Sequence, residues 1–183
     1  MEAWEEELAK SFEGFKNRKI YKQLTPEILA SIPDDKLEQA IIDYVVQKIV
    51  GRHDQEAEII RGMSVGIRAT HSTWVVDGEV KNGGFNQFFW NSSRQYAVDA
   101  VAGFNLFGLP ALARIVERAT EVHQKEETRL AKFKQRGSLE AFSESYKENP
   151  LNSLDDEYYE AAKNLSATRV AFIRKHPELF VGK

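Results

Sequence analysis

The chain contains no cysteine, which excludes a disulfide framework, a zinc site built on thiolates and a cysteine nucleophile. It also has no apolar run approaching the ~18 residues that a membrane-spanning helix requires. Its first residues, MEAWEEELAK, are acidic, whereas a secretory signal begins with basic residues and continues with apolar ones. We therefore expect a protein of the cytoplasm that has no membrane partner.

Signals for β-strands are equally scarce. The segment STWVVDGEV (72–80) alternates only briefly, and no second alternating run follows it at hairpin distance. Apolar residues at three- and four-residue spacing recur instead, as in the segment 37–49. We predict a single all-α domain over residues 1–183, a bundle of about six to seven helices, in which 1–33 form an N-terminal extension with short helices and 137–152 protrude or are mobile.

Capping residues and glycines predict where the helices begin and end. Thr25, followed by a proline, is expected to start a short helix, and Asp34 to cap the next one. One long helix is predicted over 55–77, although Gly62 and Gly66 lie inside it; glycine weakens a helix, so these positions indicate a close helix contact. Further helix starts are expected at Ser92, Pro110, Ser138 and Ser153.

The stretch KNGGFNQFFWN (81–91) combines two adjacent glycines with a dense aromatic cluster. The glycines are typical of a turn that ends a helix, because glycine adopts a left-handed backbone without a Cβ clash. Three aromatic residues then fall on one face of a short helix: Phe85, Phe88 and Phe89. We interpret the stretch as a helix junction whose aromatic side fills the core.

The amides of this motif leave two interpretations open. In the simpler one, Gln87 or Asn91 satisfies backbone groups exposed at the glycine turn and at the next helix start. In the alternative, they line a pocket that binds a small ligand or serves an unrecognised enzyme. A phosphate-cradling loop is disfavoured because Lys81 precedes the glycines. The candidate motif or ligand-binding residues are Asn82, Gly83, Gly84, Phe85, Gln87 and Asn91.

Residues that often carry catalysis or bind metals show no supporting pattern. None of the four histidines lies three or four residues from another, which argues against a zinc site on one helix. Ser64 lies in the sequence GMSVG, which matches a nucleophile elbow, but that turn follows a strand and the flanks here are helical. We therefore predict no catalytic residue, no metal and no cofactor, and we favour a non-enzymatic protein.

The charges are unevenly distributed, although the formal net charge is only −3. Residues 112–136 hold seven basic and four acidic side chains, whereas residues 138–160 hold seven acidic side chains and one lysine. Glutamates spaced four residues apart repel each other, so such a row adds no local stability. It forms either a solvated helix face or an acidic surface for a basic partner. The candidate surface consists of Glu140, Glu144, Glu148, Asp156 and Glu160.

The segment DGEVKNGGFNQFFWNSS (77–93) resembles the signature of a bacterial family of mostly unknown function that includes DNA-mimic proteins. Members show an acidic residue and a valine before Asn-Gly-Gly-Phe, then glutamine, aromatic residues, asparagine and serine. A weaker likeness covers 97–119 and the closing stretch 154–180. The resemblance implies an all-α fold and no known catalysis. It also implies, from a characterised relative, carboxylates arrayed like DNA phosphates that sequester a transcription factor.

Together these observations predict a regulatory protein that contacts a protein partner, a DNA-binding or other basic protein, through its acidic surface. The net charge of −3 argues against direct nucleic-acid binding and, with the basic stretch 112–136, against full imitation of a duplex. One glutamate row has about half the charge density of one DNA strand, so imitation would need several rows, for example across a homodimer. The alternative is a small-ligand or enzyme pocket beside Asn82–Asn91.

Overall fold

The structure is a computed structural model that describes residues 17–147 and 149–182. Residues 1–16 of the predicted N-terminal extension lie outside these residues. Within them the fold is all-α, as predicted, and no helix is both long and apolar enough to cross a bilayer. The α-helices are α1 (Pro26–Ser31), α2 (Asp34–Ile49), α3 (Glu56–Arg61), α4 (Val65–Trp90), α5 (Ala97–Leu106), α6 (Pro110–Arg136), α7 (Leu139–Ser145), α8 (Asn152–Ala161) and α9 (Leu165–Lys175). Short 3-10 segments lie at His53–Gln55, Ser92–Tyr96 and Pro177–Phe180.

Two predicted helix starts are confirmed by their capping contacts. The Thr25 hydroxyl accepts a hydrogen bond from the Ile28 N–H at 3.3 Å, at the start of α1. The Ser138 hydroxyl does the same for the Ala141 N–H at 3.1 Å, at the start of α7. Gly137 closes α6 in a left-handed conformation. Side-chain oxygens and glycine therefore set these boundaries through local contacts alone.

The prediction of one continuous helix over 55–77 is wrong, because this segment forms two helices, α3 and the first part of α4. The Gly62 N–H closes α3 by donating to carbonyls of its last turn, and Ser64 is extended, at φ −59° and ψ 154°. Gly62 therefore ends a helix rather than weakening one. Gly66 lies in the first turn of α4, against the last residues of the chain.

Three other predicted starts are displaced. Pro33 occupies the cap position of α2, and Asp34 is already helical. Ser92 begins a 3-10 segment without a side-chain cap. Ser153 lies inside α8, which ends at Ala161, so that the predicted final helix is divided into α8 and α9.

Buried apolar side chains form two clusters. The first joins the later part of α4 with α5, α6 and α8; its large members include Phe85, Phe88, Phe104 and Tyr158. The second joins α2, α9, the first part of α4 and the C-terminal 3-10 segment; its members include Ile41, Ile67, Ile173 and Phe180. The Asn-Gly-Gly-Phe motif thus belongs to the first cluster, whereas Gly66 faces the second.

Polar contacts tie the second cluster together. Arg169 of α9 is only 2% exposed, forms an ion pair with Glu38 of α2, and donates to the Thr73 hydroxyl of α4 at 3.3 Å. A buried guanidinium needs such partners, because an unpaired buried charge is strongly destabilising. Leu24 and Gly182 exchange backbone hydrogen bonds of 3.1 and 3.0 Å, which joins the residues before α1 to the end of the chain.

The contact at Gly66 is tested by Gly66→Ala, with Gly78→Ala in the same helix as its matched control. A Cβ at Gly66 would lie 2.7 Å from the Leu179 carbonyl oxygen, whereas a Cβ at Gly78 meets nothing within 4 Å. We expect Gly66→Ala to lower the free energy of unfolding by about 1–3 kcal/mol. We expect Gly78→Ala to raise it by up to about 1 kcal/mol. Urea unfolding measures both, and a Gly66→Ala protein as stable as the parent would contradict the contact.

Candidate functional site

The Asn-Gly-Gly-Phe motif lies where α4 stops being helical and starts again. Gly83 has φ −158° and ψ 30°, and Gly84 has φ +67° and ψ −177°. The Gly84 combination is open essentially only to glycine, because a Cβ would clash with the backbone. The predicted turn after Asn82 is therefore confirmed, and the helix restarts at Phe85 beyond a kink.

A carboxylate from α8 supplies the partner that the restarting helix lacks. The first N–H groups of a helix have no intrahelical acceptor, and here the Phe85 N–H donates to Asp155 Oδ1 at 2.7 Å. A Cβ at Gly84 would lie 2.3 Å from Asp155 Oδ2, so this approach depends on glycine. Burial raises the pKa of Asp155 to about 6; the Phe85 N–H opposes this rise, and the Asp156 charge adds to it.

Two tyrosine hydroxyls bind the carbonyl groups that precede the break. The Tyr146 hydroxyl, directly after α7, donates to the Gly83 carbonyl at 2.8 Å. The Tyr159 hydroxyl of α8 donates to the Val80 carbonyl at 2.9 Å. Burial raises the pKa of both hydroxyls, which keeps them protonated as donors. The acid-rich segment that follows α6 therefore holds both sides of the break.

The Glu79 carboxylate accepts hydrogen bonds from two side-chain amides of the motif. Gln87 Nε2 donates to it at 2.8 Å, Asn91 Nδ2 at 2.9 and 3.1 Å, and the Ser93 hydroxyl also donates to it. The Gln87 side-chain oxygen in turn accepts from Asn82 Nδ2 at 3.1 Å. The amides thus bind a side chain one turn before the break, which corrects the expectation that they bind backbone groups.

The aromatic side of the motif fills the core as predicted. Three side chains are almost completely buried: Phe85, Phe88 and Phe89. The Phe85 and Tyr158 rings pack in a T-shaped arrangement at a centroid distance of 5.7 Å. Such edge-to-face pairs add to the stabilisation from buried area, so α4 and α8 are joined by apolar as well as polar contacts.

A cavity of about 280 Å³ opens beside the restarted part of α4. Its wall includes the Phe89 and His123 rings, which stack in parallel at a centroid distance of 4.3 Å. The lining residues are Asn86, Phe89, Trp90, Arg94, His123, Glu127, Leu130, Ala131, Lys134 and Gln135. They come from α4, from the 3-10 segment Ser92–Tyr96 and from α6.

Two polar atoms on these lining residues have no partner within the described chain. Asn86 is 2% exposed, and its Nδ2 donates to the Ser145 hydroxyl at 2.8 Å, but its Oδ1 is buried and unpaired. Ser145 donates its own proton to the Phe142 carbonyl, which fixes the orientation of the Asn86 amide. The His123 Nδ1 is also buried and unpaired. Buried polar atoms rarely remain without hydrogen bonds, so these two are exceptions within the described chain; both are closed off from solvent by the side chains around them.

The cationic residues of the cavity lie close enough to influence one another. Burial lowers the pKa of Lys134, and the Arg94 charge lowers it further. Burial also lowers the pKa of His123, with the Arg94 and Lys134 charges acting in the same direction and Glu127 opposing them. The Lys134 Nζ lies 5.8 Å from the Trp90 ring centroid. The lining thus combines aromatic faces with two cations and an imidazole whose protonation is disfavoured.

Gln87 and Asn91 do not line this cavity. They border a neighbouring groove that continues from Trp90 and Lys134 towards α7, and their amide donors are already bound to Glu79. Asn86, which the sequence analysis did not single out, lines the cavity, whereas Gln87 and Asn91 line the neighbouring groove.

Sequence reasoning also missed the cavity residues of α6. These residues recur at steps of four, three and four along one helix face: His123, Glu127, Leu130 and Lys134. The apolar pattern of α6 fades into charge in this region, so the shared face was hidden among residues that read as solvent-exposed. The pattern that could have identified this face is the helical spacing of a histidine, a leucine and a lysine: His123, Leu130 and Lys134.

The acidic surface predicted from the sequence is only partly free of internal contacts. Glu140 and Asp156 are exposed and form no ion pair with any other residue of 17–147 and 149–182, whereas Glu144 pairs with Arg136 and Glu160 pairs with Lys163. Glu148 lies outside the described residues. Asp155, Tyr146 and Ser145 come from the same acid-rich segment but point inward, so one side of α7 and α8 holds the junction. The mobility of 137–152 stays a prediction.

The other residues considered for catalysis are not assembled into a site. Ser64 follows a helix and a short turn rather than a strand, which is not the geometry of a nucleophile elbow. Over residues 17–147 and 149–182, no three histidine, aspartate or glutamate side chains are grouped as metal ligands.

The glycine junction is tested by Gly84→Ala, with Gly137→Ala as a control of similar φ. Both substitutions strain a positive φ, but only the Gly84 side chain would also collide with Asp155. We expect Gly84→Ala to cost about 2–5 kcal/mol in the free energy of unfolding, and Gly137→Ala about 1–2 kcal/mol. Urea unfolding of the two variants compares the costs, and equal losses would contradict the Asp155 contact.

The Asp155 carboxyl gives stability a pH dependence that Asp155→Asn removes. Its folded pKa of about 6 lies above the ordinary aspartate value of 3.8, so the folded protein binds the proton more tightly. Its contribution to stability therefore falls as the pH rises from about 4 to about 6. We expect the stability of the parent, relative to Asp155→Asn, to decline across this window and to level off above it. Urea unfolding at several pH values measures the difference, and parallel curves would count against this assignment.

Comparison with known proteins gives one finding. A family model described as "DMP19-like protein", for DNA mimic protein 19, matches residues 61–176. No match was found among curated proteins or among solved structures. The matched region runs from the end of α3 to just beyond α9, so it contains the glycine junction, the cavity and the two acidic helices. Because it covers more than half of the sequence, the chain belongs to the DMP19-like protein family.

Proposed function

We propose that this protein acts without catalysis, by binding a basic protein of the DNA-binding class through exposed carboxylates of α7 and α8. We call these carboxylates the acidic face: Glu140, Glu144, Asp156 and Glu160, with Glu148 as a predicted member. The observation that carries the proposal is that α7 and α8 contain no lysine or arginine. Their outward side chains therefore present one sign of charge.

The inward contacts of the two helices support the same proposal. Ser145 and Tyr146 bind the later part of α4, and Asp155 binds the Phe85 N–H. Residues fixed in this way hold the exposed carboxylates of α7 and α8 in set positions. A preorganised surface loses less conformational entropy on binding than a mobile one does.

The ion pairs on the acidic face do not prevent binding. Glu144 is 40% exposed and Glu160 is 74% exposed, so their pairs with Arg136 and Lys163 lie at the surface. Exposed pairs contribute about 0–1 kcal/mol, because water and salt screen them. Cations of a partner can therefore replace Arg136 and Lys163 at small cost.

A protein partner suits this surface better than a nucleic acid does. The carboxylates repel phosphates, whereas a DNA-binding protein offers the lysines and arginines that bind them. Membership of a family named after a DNA mimic protein supports a partner of this class. Carboxylates four residues apart on a helix are about 6 Å apart along its axis, against about 3.4 Å between phosphates of one strand. We therefore propose contact with a basic patch rather than imitation of a whole duplex.

Charge reversal of the acidic face tests this function. We compare the double variant Glu140→Lys/Asp156→Lys with Glu117→Lys/Glu121→Lys, which reverses two exposed carboxylates of α6 and changes the net charge equally. Tagged proteins are used to capture partners from the source cell, and the captured proteins are identified by mass spectrometry. We expect a DNA-binding protein that duplex DNA displaces, that the α7–α8 variant fails to capture and that the α6 variant retains.

Equal capture by both variants would contradict the acidic face as the contact surface. A captured protein that duplex DNA does not displace would contradict a partner of the DNA-binding class. The homodimer that could combine several glutamate rows is tested on the same samples, since size exclusion with light scattering gives the mass of the particle that captures the partner.

A further inference from the structure

We propose that the cavity between the later part of α4 and α6 binds a small aromatic anion, a planar ring that carries a carboxylate or a phosphate. This site is separate from the acidic face, and its binding chemistry has the opposite sign. The proposal therefore stands or falls independently of the proposed function.

The size and lining of the cavity favour a small molecule. Its volume of about 280 Å³ is near the lower end of the range for small-molecule sites, about 300–1,000 Å³. The wall contains two aromatic side chains, Phe89 and Trp90, and two aliphatic ones, Leu130 and Ala131. Ligand sites typically combine such apolar walls with a few polar groups that fix orientation.

The two cationic side chains of the lining favour a ligand with a negatively charged group. Arg94 and Lys134 form no salt bridge with any carboxylate of the described chain, although Lys134 lies near the Trp90 ring. Each raises the cost of the other's charge, since the Arg94 charge lowers the pKa of Lys134. An anion between them removes this repulsion, and a guanidinium binds a planar carboxylate or a phosphate through two hydrogen bonds.

The balance of charges also favours an anion over a cation or a metal ion. Glu127 is the one carboxylate among the lining residues, against the two cations, and burial and those cations lower the pKa of His123, which disfavours a third positive charge. A metal site would need several carboxylate or imidazole ligands together, and none is grouped within residues 17–147 and 149–182. The net positive lining therefore selects against cationic ligands.

The aromatic part of the wall provides the contact that an inorganic anion would not use. The rings of Phe89 and Trp90 line the cavity, and the His123 ring already stacks on Phe89 at a centroid distance of 4.3 Å. A planar ring on the ligand can pack against such faces. The ligand class is thus an anionic group on an aromatic ring.

Titration monitored by NMR tests the site on the whole chain. The probes are indole-3-acetate and phenyl phosphate, with indole-3-acetamide as the uncharged counterpart and inorganic phosphate as the anion without a ring. We expect an aromatic anion to shift the Trp90 indole N–H and the Asn86 amide signals in a saturable manner. The uncharged amide and inorganic phosphate are expected to bind at least tenfold more weakly.

Two substitutions on α6 separate the cavity from general charge effects. Lys134→Gln removes a lining cation, and Lys132→Gln removes an exposed lysine that does not line the cavity. We expect Lys134→Gln to weaken binding at least tenfold and Lys132→Gln to leave it unchanged within twofold. Arg94→Gln is a second test of the lining, and circular dichroism melting of each variant verifies that it is folded.

Three outcomes would overturn the proposal. The first is no saturable shift at the cavity signals with either aromatic anion up to millimolar concentration. The second is equal affinity for inorganic phosphate, which would indicate a simple anion site. The third is equal binding by the parent and by folded Lys134→Gln and Arg94→Gln, which would place the ligand elsewhere.

Discussion

The structure depends on side-chain hydrogen bonds to the backbone groups that one buried break in α4 leaves unpaired. The chain interrupts α4 at Gly83 and Gly84 inside its first apolar cluster, which leaves an N–H and carbonyls without helical partners. Each unpaired buried group costs about 1–3 kcal/mol, so the break is tolerated only because other parts of the chain bind these groups. The Asp155 carboxylate binds the Phe85 N–H, and tyrosine hydroxyls bind carbonyls on the other side.

These hydrogen bonds also determine which side chains of α7 and α8 lie on the surface. The helices that reach inward to the break are α7 and α8, so their opposite sides, with Glu140 and Asp156, face outward. The restart at Phe85 turns the next residue, Asn86, towards Ser145 and the cavity wall. One structural solution thus positions both an acidic face and a cavity with a positive lining, two surfaces that suit different ligands.

Local signals in the sequence predicted much of the fold but little of the site. The Thr25 and Ser138 caps and the inward phenylalanines depend on residues within one or two turns, and they are confirmed. The break between α3 and α4 was missed because Ser64 is extended without a strong local signal. The Asp155 contact joins residues 70 positions apart, and no spacing rule reports such a pairing.

The amides of the motif show the same limit of prediction from local sequence patterns. The sequence indicated that Gln87 and Asn91 needed partners, but the partner is the Glu79 carboxylate, which their own pattern does not reveal. The cavity polar group is the neighbouring Asn86, whose unpaired oxygen follows from the contacts of Ser145.

The most direct test of the whole account is amide hydrogen exchange at Phe85 in the parent, in Asp155→Asn and in Asp155→Ala. The account predicts slow exchange in the parent and in Asp155→Asn, and much faster exchange in Asp155→Ala; equal protection in all three would contradict it.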